Sequence, residues 1–238
     1  MKLLASTLLV LVACSDDGGT TGPRDAPLVP VDIDNGSCGD QLRFTGELVD
    51  WDSSEASFCG VFEALFQVQG DGNMDTTAPN GRFDLCIPRS QAVTRIDVTP
   101  STTASQCTQP SSTYTLPVLA VANRDVILAG AMFSARAFTT DRQASFFTAV
   151  GAAFDPTKAQ VLVHVAGTPR AVSLEAAHAA AQAHATTWAP GDTGLDVAFP
   201  NVDVGTGTTN LAVAGGAVGT GAIPLVAGTL TVVTVYAN

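Results

Sequence analysis

The sequence predicts an all-β fold of two tandem β-sandwich domains joined by one short helix. Short stretches of alternating apolar and polar residues are separated by turn residues, as in half-buried strands. The clearest stretch is 82–87 (RFDLCI), which follows the turn dipeptide Asn80-Gly81. Both residues of such a dipeptide can take a positive φ, so we expect a tight turn there. A weaker copy follows Thr193-Gly194 and indicates that one β unit occurs twice.

The composition favours a packed protein that does not bind nucleic acid. Apolar residues make up 46% of the 238 residues and charged residues 14%, which is typical of a chain with a sizeable core. There are 22 acidic and 11 basic side chains, for a net charge of −11. Nucleic acid and anionic lipid need clustered Lys and Arg, so neither is expected as the main partner.

The N-terminus has the features of a bacterial lipoprotein signal. Lys2 precedes an apolar run at 3–13 that is too short to cross a bilayer as a mature helix. The run ends in Leu11-Val12-Ala13 before Cys14, and this resembles the lipobox at which lipoprotein signal peptidase cuts. The resemblance implies that residues 1–13 are a signal peptide and that Cys14 becomes a lipid-modified first residue. An ordinary secretory signal followed by a chance cysteine is the alternative.

Residues 14–37 are expected to form a flexible tether, because Gly, Pro, Thr and Asp dominate there without apolar periodicity. The predicted partner is a membrane, held through acyl chains on Cys14. Ser15 rather than Asp follows the cysteine, which by enterobacterial analogy indicates the outer membrane. We therefore expect an outer-membrane lipoprotein of the cell envelope that faces the periplasm or the surface.

Four further cysteines lie in the first half of the chain: Cys38, Cys59, Cys86 and Cys107. Outside the cytoplasm an even set predicts two disulfides, for which three pairings are possible. The strand pattern favours Cys59 with Cys86, both at polar positions of the alternation, and Cys38 with Cys107. A zinc site is the alternative, but the chain has no Cys-x-x-Cys or Cys-x-x-His pair.

The first β unit is expected at 38–110. Residues 41–51 alternate and predict an opening strand, and residues 60–69 predict a second strand with its apolar side chains on one face. The stretch after Asn80-Gly81 and a closing strand at 96–98 complete the unit.

The order of these elements resembles the carboxypeptidase regulatory-like domain, a small β-sandwich of transthyretin-like topology. The resemblance covers 42–98, and the residues that carry it are Gly46, Asp50, Gly60-Val61, Asn80-Gly81, Phe83, Leu85, Pro88 and Val98. It implies a transthyretin-like or immunoglobulin-like sandwich of the kind that accompanies other domains as a folding, spacing or adhesive unit. No catalytic residues belong to the motif.

The loop Asp71-x-Asn73-x-Asp75 matches the first three positions of an oxygen-ligand calcium loop. The twelfth position of that loop would be Arg82, where a bidentate Glu is needed. We therefore expect a solvated loop here, with a calcium site as the alternative.

The connecting segment is expected at 111–155, and its helix near 140–151 has the strongest helix pattern in the chain. Thr140 can cap this helix, and Gly151 can end it. We expect it to pack over a sheet, and a partner-binding helix is the alternative. The stretch 115–138 does not decide between strand and helix.

The second β unit is expected at 156–238. Residues 160–166 alternate, and residues 171–177 take the place that 60–69 has in the first unit, so both are expected to be strands. Residues 178–184 favour helix by local propensity, so a loop or a short helix is expected there. The uncharged end of the chain predicts three strands between glycine turns, at 211–214, 222–226 and 229–236.

Glu175, His178 and His184 are the chain's one acid-histidine grouping. On a helix, Glu175 and His178 would share a face and His184 would point elsewhere, so the spacing does not assemble a metal or acid-base site. Solvated side chains are the expectation.

The sequence lacks a Gly-x-Ser-x-Gly elbow, a His-Glu-x-x-His motif and a cysteine left over for nucleophilic work. We therefore predict a noncatalytic, membrane-anchored envelope protein that acts as a structural or adhesion-like binding module, with no cofactor and with a protein or glycan ligand. The alternative is a carbohydrate-binding sandwich in which Trp51 and Trp188, both predicted in loops, stack on a sugar. An accessory domain of a hydrolase is the third hypothesis.

Overall fold

The computed structural model describes residues 38–54, 57–101, 113–114 and 116–238. The predicted signal peptide and tether, with Cys14 and Cys107, lie outside the described residues. In the first half the elements are β1 (Leu42–Asp50), β2 (Leu65–Val68), β3 (Met74–Thr76), β4 (Arg82–Ile87), β5 (Val93–Thr99), β6 (Val118–Asn123), α1 (Arg124–Leu128), β7 (Phe133–Ala137) and α2 (Thr140–Val150). In the second half they are β8 (Ala159–Gly167), β9 (Arg170–Leu174), β10 (Gln182–His184), β11 (Trp188–Pro190), β12 (Thr193–Gly194), β13 (Asp196–Val202), β14 (Thr208–Val213), β15 (Gly221–Pro224) and β16 (Leu230–Ala237).

The strands form three sheets. A nine-stranded sheet has the order β11-β10-β13-β8-β16-β6-β5-β2-β3, a three-stranded sheet the order β4-β1-β7, and a four-stranded sheet the order β12-β9-β14-β15. The predicted all-β sandwich class is therefore confirmed. Both halves of the chain contribute strands to the nine-stranded sheet, through the parallel pairing of β6 with β16, and the division into two domains stays a prediction.

The nine-stranded sheet is covered on both faces. One apolar cluster joins its Leu162 and Val232 to Phe44 and Phe133 of the three-stranded sheet. A second cluster joins Val161 and Val233 of the same strands to side chains of the four-stranded sheet, among them Leu211 and Ile223. Burial on both faces explains why β8 and β16 are apolar at nearly every position.

The Asn80-Gly81 turn carries the chain from one sheet to another. Gly81 has a φ of +75°, whereas Asn80 keeps a negative φ, so the expectation of two positive values is wrong. The flanking strands do not pair with each other, because β3 pairs with β2 and β4 pairs with β1. A Cβ on Gly81 would lie 2.2 Å from the carbonyl oxygen of Leu48, so this crossing needs glycine.

The second predicted strand, at 60–69, is shorter than expected. It begins only at Leu65, because Gly60 bridges to β1 at Val49 and Glu63 takes a φ of +60° in the turn that follows. The predicted opening and closing strands are confirmed as β1 and β5.

The disulfide pairing differs from the favoured one. Cys38 is bonded to Cys86, with the two Cα atoms 5.4 Å apart. A turn places Cys38 at the start of β1, next to the end of β4, where Arg43 pairs with Cys86. Cys59 lies at the other end of β1, where its carbonyl accepts from Asp50 N–H, so it cannot reach Cys86. Cys59 is also disulfide-bonded.

The predicted helix is confirmed as α2, with a different cap. Thr139 rather than Thr140 is the N-cap, since its hydroxyl accepts from Arg142 N–H, and Gly151 ends the helix with a φ of +74°. Phe146 and Phe147 are the buried side chains of this helix. The undecided stretch contains β6, β7 and the short helix α1, which Asn123 caps.

In the second half, the expected strand at 171–177 is confirmed as β9. The alternative of a helix at 178–184 is wrong, because Gln182–His184 forms β10 and pairs with β13 and β11. The three strands expected at the end of the chain are confirmed as β14, β15 and β16.

Candidate functional site

The candidate site is an aromatic stack beside a buried cluster of charged side chains. Trp51 follows β1 and lies between Phe138, at a ring distance of 3.7 Å, and Trp188, at 4.5 Å. Trp51 is only 1% exposed, so it cannot stack on a sugar. Trp188 is partly buried, and its indole N–H donates to Trp51 O at 3.4 Å. The two predicted tryptophans therefore come together, and only Trp188 keeps an accessible surface.

Five polar or aromatic residues form a row across neighbouring strands of the nine-stranded sheet. His164 on β8 is paired with Asp196 on β13, Asp196 with His184 on β10, and His184 with Trp188 on β11. The row continues to Thr234 on β16, which is paired with His164. Residues paired directly across neighbouring strands point to the same face of the sheet, so their side chains lie next to one another.

Arg136 of β7 reaches this row from the three-stranded sheet. Its Nη2 donates to Asp196 Oδ2 at 2.7 Å, and its Nη1 donates to Ser53 O at 2.8 Å. The side chains of Arg136 and Asp196 are 12% and 9% exposed. Arg136 therefore ties the turn after β1 to the second half of the chain through a largely desolvated ion pair.

The charge of Asp196 is balanced on two sides. Burial alone would raise the pKa of its carboxyl, but Arg136 and the hydrogen bond from His164 outweigh burial and hold the pKa well below its usual range. His164 Nδ1 lies 2.8 Å from Asp196 Oδ1. Asp196 is thus an ionised acceptor for both partners.

The surroundings of His184 disfavour its protonated form. Burial lowers the pKa of this imidazole, and the Arg136 cation lowers it further. The Nη2 of Arg136 lies 3.4 Å from His184 Nδ1. A guanidinium can only donate, so this nitrogen of His184 must be the acceptor.

The polar contacts of the cluster are made within the fold. The hydrogen bonds of Arg136 and Asp196 join elements of the fold to one another, and a general acid or base must instead reach a substrate proton. The Thr234 hydroxyl is buried and has no hydrogen-bond partner within the described ranges. It lies in the row beside His164, but both side chains are enclosed.

The other predicted site residues do not converge. Glu175 accepts from the Asn210 amide, His178 packs against Phe199, and His184 belongs to the row described above. Within the part of the chain that the structure describes, no group of three or more His, Cys, Asp or Glu could hold a metal ion.

The possible calcium loop is used in other contacts. The Asn73 amide donates to Asp71 Oδ2 at 2.9 Å and to Cys86 O at 3.1 Å, and the Asp75 carboxylate accepts from Asp84 N–H at 2.8 Å. These hydrogen bonds engage the side chains of all three residues, which gives the calcium alternative no support.

Sequence reasoning missed Arg136, His164 and Asp196. Residues 136 and 196 are 60 positions apart, and each stands alone in its own segment. One sequence signal could have pointed to His164: it stands at a position of β8 where the alternation predicts a solvent-facing side chain. That position is buried, with His164 7% exposed.

Comparisons with known proteins do not place the chain in a family. The chain matches no protein-family model and has no significant match among curated proteins. The resemblance to the carboxypeptidase regulatory-like domain therefore stays a prediction. None of the helices that the structure describes has the length and apolar character needed to cross a bilayer.

Proposed function

We propose that the chain is a lipid-anchored, noncatalytic protein of the bacterial cell envelope whose β fold serves as a structural or binding module. The observation that carries the proposal is Leu11-Val12-Ala13 before Cys14, which has the form of a lipobox. The disulfide between Cys38 and Cys86 supports it, because such bonds persist in oxidising compartments outside the cytoplasm.

The cysteines can be divided between two tasks. We propose that the partner of the disulfide-bonded Cys59 is Cys107, which leaves Cys14 for lipid. Acyl chains stabilise membrane attachment by about 0.8 kcal/mol per buried CH₂ group, so three chains make release slow.

The buried charges support a noncatalytic role. Arg136, Asp196 and His164 satisfy one another between two sheets, an arrangement that stabilises the packing of the fold. The proposal therefore assigns them to structure.

The test is fractionation of the full chain expressed in a bacterial host. We expect the wild type in the membrane fraction and in the detergent phase, and the Cys14→Ser variant in neither. Ser15→Ala is the matched control and should stay with the membrane. A wild-type chain that is soluble, or that distributes like Cys14→Ser, would contradict the proposal.

Glycan binding at Trp188 is a second candidate, favoured by one observation. Trp188 is partly exposed and is held parallel to the buried Trp51, with 15° between the ring planes. A fixed aromatic face of this kind can pack against the apolar face of a sugar ring. Affinity electrophoresis in gels that contain neutral polysaccharides tests the idea: retardation of the wild type should be lost in Trp188→Ala and kept in Trp188→Phe. Equal mobility of all three proteins in every gel would rule it out.

A further inference from the structure

Exposed apolar side chains gather around α1. The described part of the chain exposes six large apolar side chains, and four of them, Val93, Leu128, Met132 and Val218, adjoin this helix or the connection that follows it. Each is between 38% and 47% exposed. Single exposed apolar residues are common on protein surfaces, but a group of four around one helix indicates a contact surface.

Contacts of α1 with its neighbours make these residues one group. Arg124 N–H donates to Ala92 O at 2.9 Å, which puts Val93 beside the start of the helix. On another side, a Cβ on Gly219 would come within 2.4 Å of Val126 Cγ2, so the backbone that follows Val218 lies beside the helix.

The connection after α1 completes the surface. Leu128 and Met132 stand at its two ends, and the residues between them are Ala-Gly-Ala. The Arg124 and Asp125 side chains nearby form an exposed ion pair with no net charge. The surface that we call the α1 surface (Val93, Leu128, Met132 and Val218) therefore carries four apolar side chains and no net charge. On one side Met132 borders a cleft that two Arg and two Asp residues line, Arg43, Asp75, Arg82 and Asp84.

The N-terminal segment joins the fold at this same end. Cys38 is bonded to Cys86, and the next positions bring Leu42 of β1 opposite Ile87 of β4. The chain then runs from Ile87 to Val93 at the start of β5, which lies opposite Asn123, the cap of α1. α1 also packs against β1.

The distance to the anchor is short. Cys14 and Cys38 are separated by 23 residues. The tether that the sequence predicts between these two cysteines would have a root-mean-square span of about 27 Å. An anchor on Cys14 would therefore keep the α1 surface close to the bilayer, and a weak contact would be populated because it forms within one molecule.

We infer that the α1 surface is a membrane-docking surface, with Leu128 and Met132 entering the lipid interface beside the anchor. The inference rests on the proposed lipid anchor and names its partner as the surface of a zwitterionic bilayer. The net charge of −11 disfavours anionic lipid, so the contact is apolar.

Hydrogen exchange on vesicles tests the inference. The acylated full chain is placed in phosphatidylcholine/phosphatidylethanolamine vesicles, and its amide exchange is compared with that of the Cys14→Ser chain in buffer. We expect exchange in peptides covering 124–133 to slow about threefold or more on vesicles, because docking suppresses local opening. Peptides covering 182–190, in β10 and β11 at the opposite edge of the nine-stranded sheet, should be unchanged.

A double variant, Leu128→Glu with Met132→Glu, should lose this protection while it remains acylated and vesicle-bound. Leu65→Glu is the matched control, since Leu65 is 36% exposed and lies outside the α1 surface, and it should keep the protection.

Two results would overturn the docking inference and leave the proposed lipid anchor standing. One is unchanged exchange in an acylated wild type, and the other is protection that survives in the double variant. A chain recovered without acyl groups would instead contradict the proposed function, and the inference would fall with it. Circular dichroism confirms that each variant is folded.

Discussion

Trp51 and Trp188 stack with their ring centroids 4.5 Å apart, although 137 positions separate them in the chain. The stack joins the turn after β1, in the first half, to the edge strand β11 of the second. Arg136 and Asp196 cross the same junction as a buried ion pair. The two halves are therefore held together by specific contacts as well as by a shared sheet.

Replacing Trp188 by Ala should destabilise the protein by about 2–3 kcal/mol, because it removes a partly buried ring from the stack. The free energy of unfolding is measured by chemical denaturation. Trp188→Phe keeps one aromatic ring and should cost less. A cost for Trp188→Ala below about 0.5 kcal/mol, typical of surface sites, would show that the stack contributes little.

Replacing Asp196 by Asn should cost about 3–5 kcal/mol, since it leaves the guanidinium of Arg136 buried without a counter-charge. The exposed pair Arg95–Asp97 provides the control, and Asp97→Asn should cost less than about 1 kcal/mol. Denaturation curves of the two variants give the comparison. Similar losses in the free energy of unfolding would mean that burial does not determine how much the Arg136–Asp196 pair contributes to stability.

His184 should make stability depend on pH. Its pKa in the folded state is lowered from 6.5 by burial and by Arg136. Below about pH 6.5 the unfolded chain therefore binds more protons than the folded one, so the free energy of unfolding falls as the pH drops through this range. The contribution of neutral His184 to the free energy of unfolding is fully present well above about pH 6.5.

The His184→Gln variant should show a flatter decline between about pH 7.5 and pH 5, the range in which an ordinary imidazole titrates. His178→Gln, a change at an exposed imidazole, is the matched control. If stability declines with pH at the same slope in the wild type and in His184→Gln, then His184 is not the source of the pH dependence.

Removing the Cys38–Cys86 disulfide should cost about 4 kcal/mol on the chain-entropy account, because the bond spans 48 positions of the chain. The Cys38→Ser/Cys86→Ser variant is compared with the wild type by denaturation under non-reducing conditions. Peptide mapping provides a second check, and a peptide linking Cys59 to Cys86 would contradict the pairing described here.

Local patterns in the sequence predicted the elements whose determinants are local. Alternation over 41–51 gave β1, and Gly151 marked the end of α2, because the backbone conformation at that position favours glycine. The Asn80-Gly81 turn was predicted for the same reason, although its role in joining two sheets depends on distant strands.

Long-range packing could not be predicted in the same way. Alternation in β8 suggested one solvated face, yet Gln160 and His164 are buried there because a second sheet covers that face. The first forms hydrogen bonds with Asn201, and the second with Asp196. Such partners come from β13, and nothing in the local pattern of β8 names them.

The candidate site shows the same division. Trp51 and Trp188 could be singled out as large aromatic residues in predicted loops, but their stacking depends on the pairing of β10 with β11 and β13. Arg136 and Asp196 stand out only when the three-stranded and nine-stranded sheets are placed together.

The most direct test of the account is the mass of the N-terminal peptide of the mature protein isolated from its membrane. The account predicts a peptide that begins at Cys14 and carries a diacylglycerol group on Sγ, with a further acyl chain on the amine. A peptide that begins elsewhere, or a Cys14 found without lipid or in a disulfide, would contradict it.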